Sequence, residues 1–111
     1  MRQRTTARSE AKRATGEEAL HAAVAMDYPQ EGETITSRDY TLRISAAPQA
    51  KLVEACIDQG PWLPCREAAG FWWYDWSGFA AGRHQLRARM TDQDGNVKMT
   101  LLRWAQVEET R

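Results

Sequence analysis

From Tyr28-Pro29 onward, apolar and polar residues alternate in short runs broken by Gly, Pro, Asn and Asp, the period-two pattern of half-buried β-strands. Over residues 39–45, Tyr40, Leu42 and Ile44 fall on one face and Thr41, Arg43 and Ser45 on the other. Val53, Ala55 and Ile57 repeat the pattern, Asp58-Gln59-Gly60-Pro61 turns the chain, and Trp62-Leu63-Pro64-Cys65 returns as a partner strand whose prolines mark it as an edge. Phe71 to Trp76 reads as an aromatic-rich strand closed by Ser77-Gly78. His84, Leu86, Ala88 and Met90 alternate through the next strand, Asp92-Gln93-Asp94-Gly95-Asn96 turns again, and Val97, Met99 and Leu101 are expected to line the last one.

About seven short strands at roughly ten-residue spacing, with no helical pattern between them, predict an all-β antiparallel sandwich rather than an α/β sheet. The sandwich is assigned to residues 27–111. Residues 1–26 are assigned to an N-terminal extension: a flexible basic tail to about residue 15, without apolar periodicity, then an Ala-rich lead-in over 16–26 that suits a short helical turn.

Composition narrows the function classes. At 111 residues, with 42% hydrophobic and 27% charged, the chain reads as one soluble globular domain. Its zero net charge hides an asymmetry, since Arg2, Arg4, Arg8, Lys12 and Arg13 face Glu10 alone in the tail. Cations on a loose end, rather than clustered on a folded face, do not predict nucleic-acid binding. The longest apolar stretch, Ala22 to Met26, is too short for a secretory h-region or for a bilayer, which takes about 20 residues. A cytoplasmic protein without membrane contact is therefore expected. Cys56 and Cys65 form no Cys-x-x-Cys pair, so neither metal site nor cofactor is predicted; two free thiols are expected, although a hairpin brings the cysteines near enough for a bridge in an oxidising compartment.

Five Trp in so short a chain direct attention to aromatic surfaces. In a strand, Trp72, Tyr74 and Trp76 project to one side and Phe71 and Trp73 to the other, and both sides of one strand cannot be equally buried. The candidate binding residues are Trp72, Tyr74 and Trp76, with Trp62 beside an edge hairpin and Trp104, whose parity opposes that of Val97 and Met99. Such rings stack on sugars or anchor protein partners; the competing reading is that they fill a small core beneath long side chains such as Arg87 and Arg89.

Catalysis finds no comparable signal. His21 lies in the lead-in, His84 on a strand has no identifiable Ser or Cys partner, and the acidic residues are scattered among turns. Asp92-x-Asp94-x-Asn96 has the alternation of a calcium loop, but the residue at the bidentate Glu position is Arg103, so Asp-Gly-Asn is read as hairpin chemistry.

Two segments resemble a known family. Residues 52–62, Leu-Val-Glu-Ala-Cys-Ile-Asp-Gln-Gly-Pro-Trp, resemble the V-E-V-S-x-D-G-G-x-W hairpin of immunoglobulin-like early-set (E-set) modules, and residues 82–96 resemble their G-x-H-x-L-x-V-R-A-x-D-x-x-G-N strand and turn. Trp73-Tyr74-Asp75-Trp76 is similar to a W-x-x-W feature of the C-terminal dimerisation domain of sulfite-oxidase-type molybdenum enzymes. The resemblance implies a sandwich of about seven strands, and bacterial modules attached to glycoside hydrolases share much of the signature. The cysteine that ligates molybdenum belongs to a domain not found in this sequence, so Cys56 and Cys65 inherit no ligand role. The expectation is a non-catalytic module that binds a protein partner or self-associates, with carbohydrate binding through surface aromatics as the alternative.

Overall fold

Each period-two run becomes a strand because only an extended backbone puts every second side chain on the same side. The computed structural model describes residues 23–109, none of them helical. Ten strands form: β1 (Val24–Tyr28), β2 (Glu33–Ile35), β3 (Asp39–Ala46), β4 (Ala50–Ile57), β5 (Trp62–Pro64), β6 (Arg66–Ala68), β7 (Phe71–Ser77), β8 (Gly82–Asp92), β9 (Val97–Met99) and β10 (Arg103–Val107). They make two sheets, one of four strands in the order β1-β3-β7-β6 and one of six in the order β2-β10-β8-β4-β5 with β9 also on β8. All pairings are antiparallel except β2 with β10.

The core lies between the sheets. Leu42 and Ile44 of the four-stranded sheet and Val53, Ala55, Leu86 and Ala88 of the six-stranded sheet are fully buried, with Met26, Ile35, Met90, Ala105 and Val107 around them. Burying one such aliphatic side chain contributes about 1.5–3 kcal/mol, so this set is the main source of stability.

Three differences from the sequence reading have physical causes. First, there are more strands than seven, partly because the chain changes sheet at Cys65: β5 belongs to the six-stranded sheet and β6 to the four-stranded one. Second, β1 begins at Val24, inside the segment read as a helical lead-in. Val24 and Met26 pair with Ala46 and Ile44, and their burial outweighs the weak helix preference of the Ala-rich run. The basic tail and the rest of the lead-in lie outside the described residues.

Third, the strand expected at Val97, Met99 and Leu101 is interrupted. Met99 faces Arg89 and Arg103 faces Leu86, so the chain takes four steps where β8 takes three, a one-residue bulge. Thr100 bridges it: its amide donates to Ala88 O at 2.8 Å, and its hydroxyl accepts from Ala88 N at 3.0 Å. Parity inverts across the bulge, so Val97 and Met99 are exposed on the outside while Ala105 and Val107 are buried inside. Leu101, expected in the core, is 91% exposed.

Candidate functional site

β7 puts its aromatics on two sides. Trp72, Tyr74 and Trp76 sit opposite Ile44, Leu42 and Tyr40 of β3. Trp76 is buried in the core, and Trp72 and Tyr74 pack against it. Of these three candidates, Trp76 is a core side chain, and Trp72 and Tyr74 are partly buried on the same inner side. Phe71 and Trp73, left out of the candidate set, are the strand's outward rings.

That outer surface is internally satisfied. Phe71 and Trp73 meet edge to face at 5.9 Å, and Trp73 Nε1 donates to Ala68 O at 2.8 Å. The Arg43 guanidinium lies 4.2 Å from the Phe71 ring centre and 4.8 Å from that of Tyr28, with its Nε donating to Asp27 at 3.2 Å. Asp75 accepts from Arg66 at 2.6 Å and from Thr41 at 3.0 Å, bonds that hold its carboxyl below the usual carboxylate range.

The outer face of the six-stranded sheet is different. Its rows follow from register: Leu52, Thr91 and Val97 form one; Pro64, Glu54, Arg89 and Met99 the next; Trp62, Cys56 and Arg87 a third; Gln85 and Trp104 a fourth. Trp62 and Trp104 are both half-buried here, three strand spacings, roughly 14 Å, apart across the sheet and in adjacent rows along it. Arginines cover both rings, Arg89 over Trp62 and Arg83 over Trp104, each at 4.2 Å. Arg89 also donates to Glu54 at 2.8 Å. Trp104 faces outward as its parity predicted, although the residues from which that parity was counted face outward too; the bulge reconciles the two.

Among the described residues, five of the six exposed large hydrophobics lie in or next to this sheet: Leu52, Val97 and Met99 in its outer rows, and Leu101 and Leu102 in the bulge between β9 and β10. Arg87 is bordered by Met99 and Leu102. Its Nη1 reaches only the Met99 sulfur at 3.7 Å, and its Nε is buried without a hydrogen-bond partner beside a shallow cleft lined by Cys56, Gln85 and Leu102. A lone exposed Leu is ordinary, whereas several exposed apolar side chains on one side of a sheet, beside an unsatisfied guanidinium, form an apolar patch.

The remaining candidates have structural roles. Both ring nitrogens of His84 face acceptors, Asp58 at 2.6 Å and Ala80 O at 2.7 Å. Asp92 Oδ1 accepts from the amides of Asp94 and Asn96, so this segment is the hairpin turn that Asp-Gly-Asn predicts. The thiols are free: Cys65 joins the core, whereas Cys56 donates to Gly60 O at 3.3 Å on the outer side, so the sheet separates them. Among the described residues, no three His, Cys, Asp or Glu side chains gather as a metal site. A cleft of about 410 Å³ opens beside Phe79, Arg38 and Glu108; none of the sequence candidates lines it, although Phe79 packs on Trp76 at 4.3 Å.

No protein-family model and no curated protein matches the chain. Among solved structures it is similar to the fibronectin(III)-like modules of Clostridium thermocellum CbhA, at 20% identity and TM-score 0.65, covering 76% of this chain and 93% of that one. The fold is a fibronectin(III)-like, immunoglobulin-class β-sandwich. A segment of an engineered protein is also similar, at 17% identity and TM-score 0.64, covering 95% of this chain and 22% of that one. So is part of a modular endo-β-1,4-mannanase from Cellulomonas fimi, at 17% identity and TM-score 0.59, covering 77% and 18%. The chain thus spans less than a quarter of these two larger proteins, and at such identities the likeness concerns the sandwich alone.

Proposed function

We propose that this sandwich is a non-catalytic interaction module that docks a protein partner on the outer face of its six-stranded sheet. The observation that carries the reading is that exposed Leu52, Val97 and Met99 share the outer face with Arg87, Arg89 and Trp62, with exposed Leu101 and Leu102 in the adjoining bulge. Trp, Arg and Met are enriched in protein interfaces, and clustered aliphatics beside an edge strand suit a flat protein surface. Likeness to modules that accompany larger chains supports an accessory role. The finer assignment to E-set modules rests on residues 52–62 and 82–96, and two reduced thiols fit a cytoplasmic setting.

Carbohydrate binding is the second reading, supported by the likeness to part of a mannanase. It is weakened by the guanidiniums over Trp62 and Trp104, which each occupy a ring face that a sugar would need.

A pull-down from native extract tests the proposal, comparing the wild type with Leu101→Asp and Trp73→Ala. Capture abolished by Leu101→Asp and kept by Trp73→Ala supports docking on this face. Equal capture by all three proteins, or binding of mannan or cellulose oligosaccharides in a titration that Trp62→Ala abolishes, overturns it.

A further inference from the structure

Resting on the proposed docking face, we infer that its partner is a protein segment carrying a carboxylate between apolar side chains, with the carboxylate seated on Arg87. Of the charged strand residues that register turns outward here, Arg83, Arg87 and Arg89 stand against Glu54, which is already bound to Arg89, while the loop carboxylates Glu31 and Asp58 at the far edge are engaged by Arg103 and His84. Among the described residues, Arg87 has no carboxylate partner. Its Nε is shielded from solvent without an acceptor, and Met99 sulfur is a poor substitute on Nη1. A buried donor left unsatisfied is a standing cost that an incoming acceptor removes, and a guanidinium takes a carboxylate in bidentate geometry. Leu102, which lines the cleft beside Arg87, and Met99 provide the apolar surround that strengthens such a pair.

The same charges argue against other occupants. A second copy meeting this face about a two-fold axis would bring two arginine clusters together. A nucleic acid would use the cations but leave the five aliphatics without apolar contacts.

Random peptides displayed on phage and selected against the immobilised full chain test the inference. Enriched clones are expected to carry Asp or Glu between apolar residues. A synthetic copy should bind Arg87→Met about tenfold more weakly than the wild type and should weaken with salt. Changing the peptide acid to its amide should cost the same factor, a readout that leaves the protein untouched should Arg87→Met lose its fold. Acid-free clones that ignore Arg87→Met but fail on Leu101→Asp would overturn the carboxylate and leave the docking face standing. Failure of selection, clones indifferent to both variants, or an oligothymidine that binds where peptides do not would overturn both.

Discussion

Asp58 holds His84 from across the sheet: its Oδ2 lies 2.6 Å from the imidazole Nδ1, while its Oδ1 accepts from the Gln85 amide at 2.9 Å. Asp58 and Gln59 form the two-residue turn after β4, both at positive φ, closed by Gly60 N donating to Ile57 O at 3.0 Å. His84 Nε2 also faces the Ala80 carbonyl, so the ring ties this turn to the loop before β8. A neutral imidazole donates once; two acceptors are satisfied together only by the protonated ring.

This predicts a pH dependence of defined sign. Desolvation pulls the His84 pKa down, but the bonds to Ala80 and Asp58 outweigh it and leave the pKa above its ordinary 6.5. A raised folded-state pKa stabilises fully below the unfolded value, and the contribution disappears as pH rises through the folded value. Melting of wild type and Asp58→Asn from about pH 5 to about pH 9 checks it: the gap should be widest in acid and close toward alkaline pH. A constant gap would mean that His84 stays neutral.

The side-chain parity of β7 predicts opposite results for two tryptophans. Trp76→Ala opens a hole among Phe79, His84 and the core and should cost about 3–5 kcal/mol. Trp73→Ala loses one edge contact and one hydrogen bond on the outside and should cost about 1–2 kcal/mol. Urea titration of both variants decides it, and equal losses would place Trp73 in the core.

Cys65 is buried, and burial first, with the nearby Glu54 charge second, pushes its thiol up to about 12. The thiolate is the reactive form, so a thiol reagent at neutral pH should label Cys65 only after denaturant is added. Labelling of Cys65 at the rate of a free peptide thiol would contradict its place in the core.

Ala69 occupies a positive φ of 54° in the turn between Ala68 and Phe71, where a side chain is strained and the neighbouring Gly70 is not. Ala69→Gly should therefore stabilise by up to about 1 kcal/mol, read as a higher melting temperature. An unchanged or lower value would show that the added chain entropy cancels the relief.

Much of this fold is legible in sequence because alternation reports directly on a strand with one buried side. The faces of β3 and β8 follow from Leu42, Ile44, Leu86, Ala88 and Met90 with no further information. Alternation fails where both sides of a strand carry apolar residues, as in β7, because Phe71 and Trp73 are as hydrophobic as the rings that enter the core. It fails again at a bulge, which depends on the Thr100 hydroxyl replacing a carbonyl in the ladder and leaves no periodic trace. The outer face of the six-stranded sheet is half legible for the same reason: Trp62 and Trp104 stand out in the sequence, whereas Val97, Met99 and Leu101 read as one regular strand whose alternation conceals that they turn outward.

The bulge supplies the last prediction. Leu101 contributes little as a side chain, so Leu101→Ser should melt within about 0.5 kcal/mol of the wild type. As a backbone position it is the extra residue of the bulge. Deleting Leu101 leaves three steps from Met99 to Arg103 against the three from Arg89 to Leu86, so β9 and β10 can form one unbroken partner for β8 with both flanking registers kept. Ala105 would still face His84 on the inside and Trp104 would still face Gln85 on the outside. The deletion should therefore unfold cooperatively, as the substitution does, in a denaturant titration followed by Trp fluorescence. Loss of cooperative unfolding on deletion would mean that the bulge itself, and not only the register on either side of it, holds β10 in place.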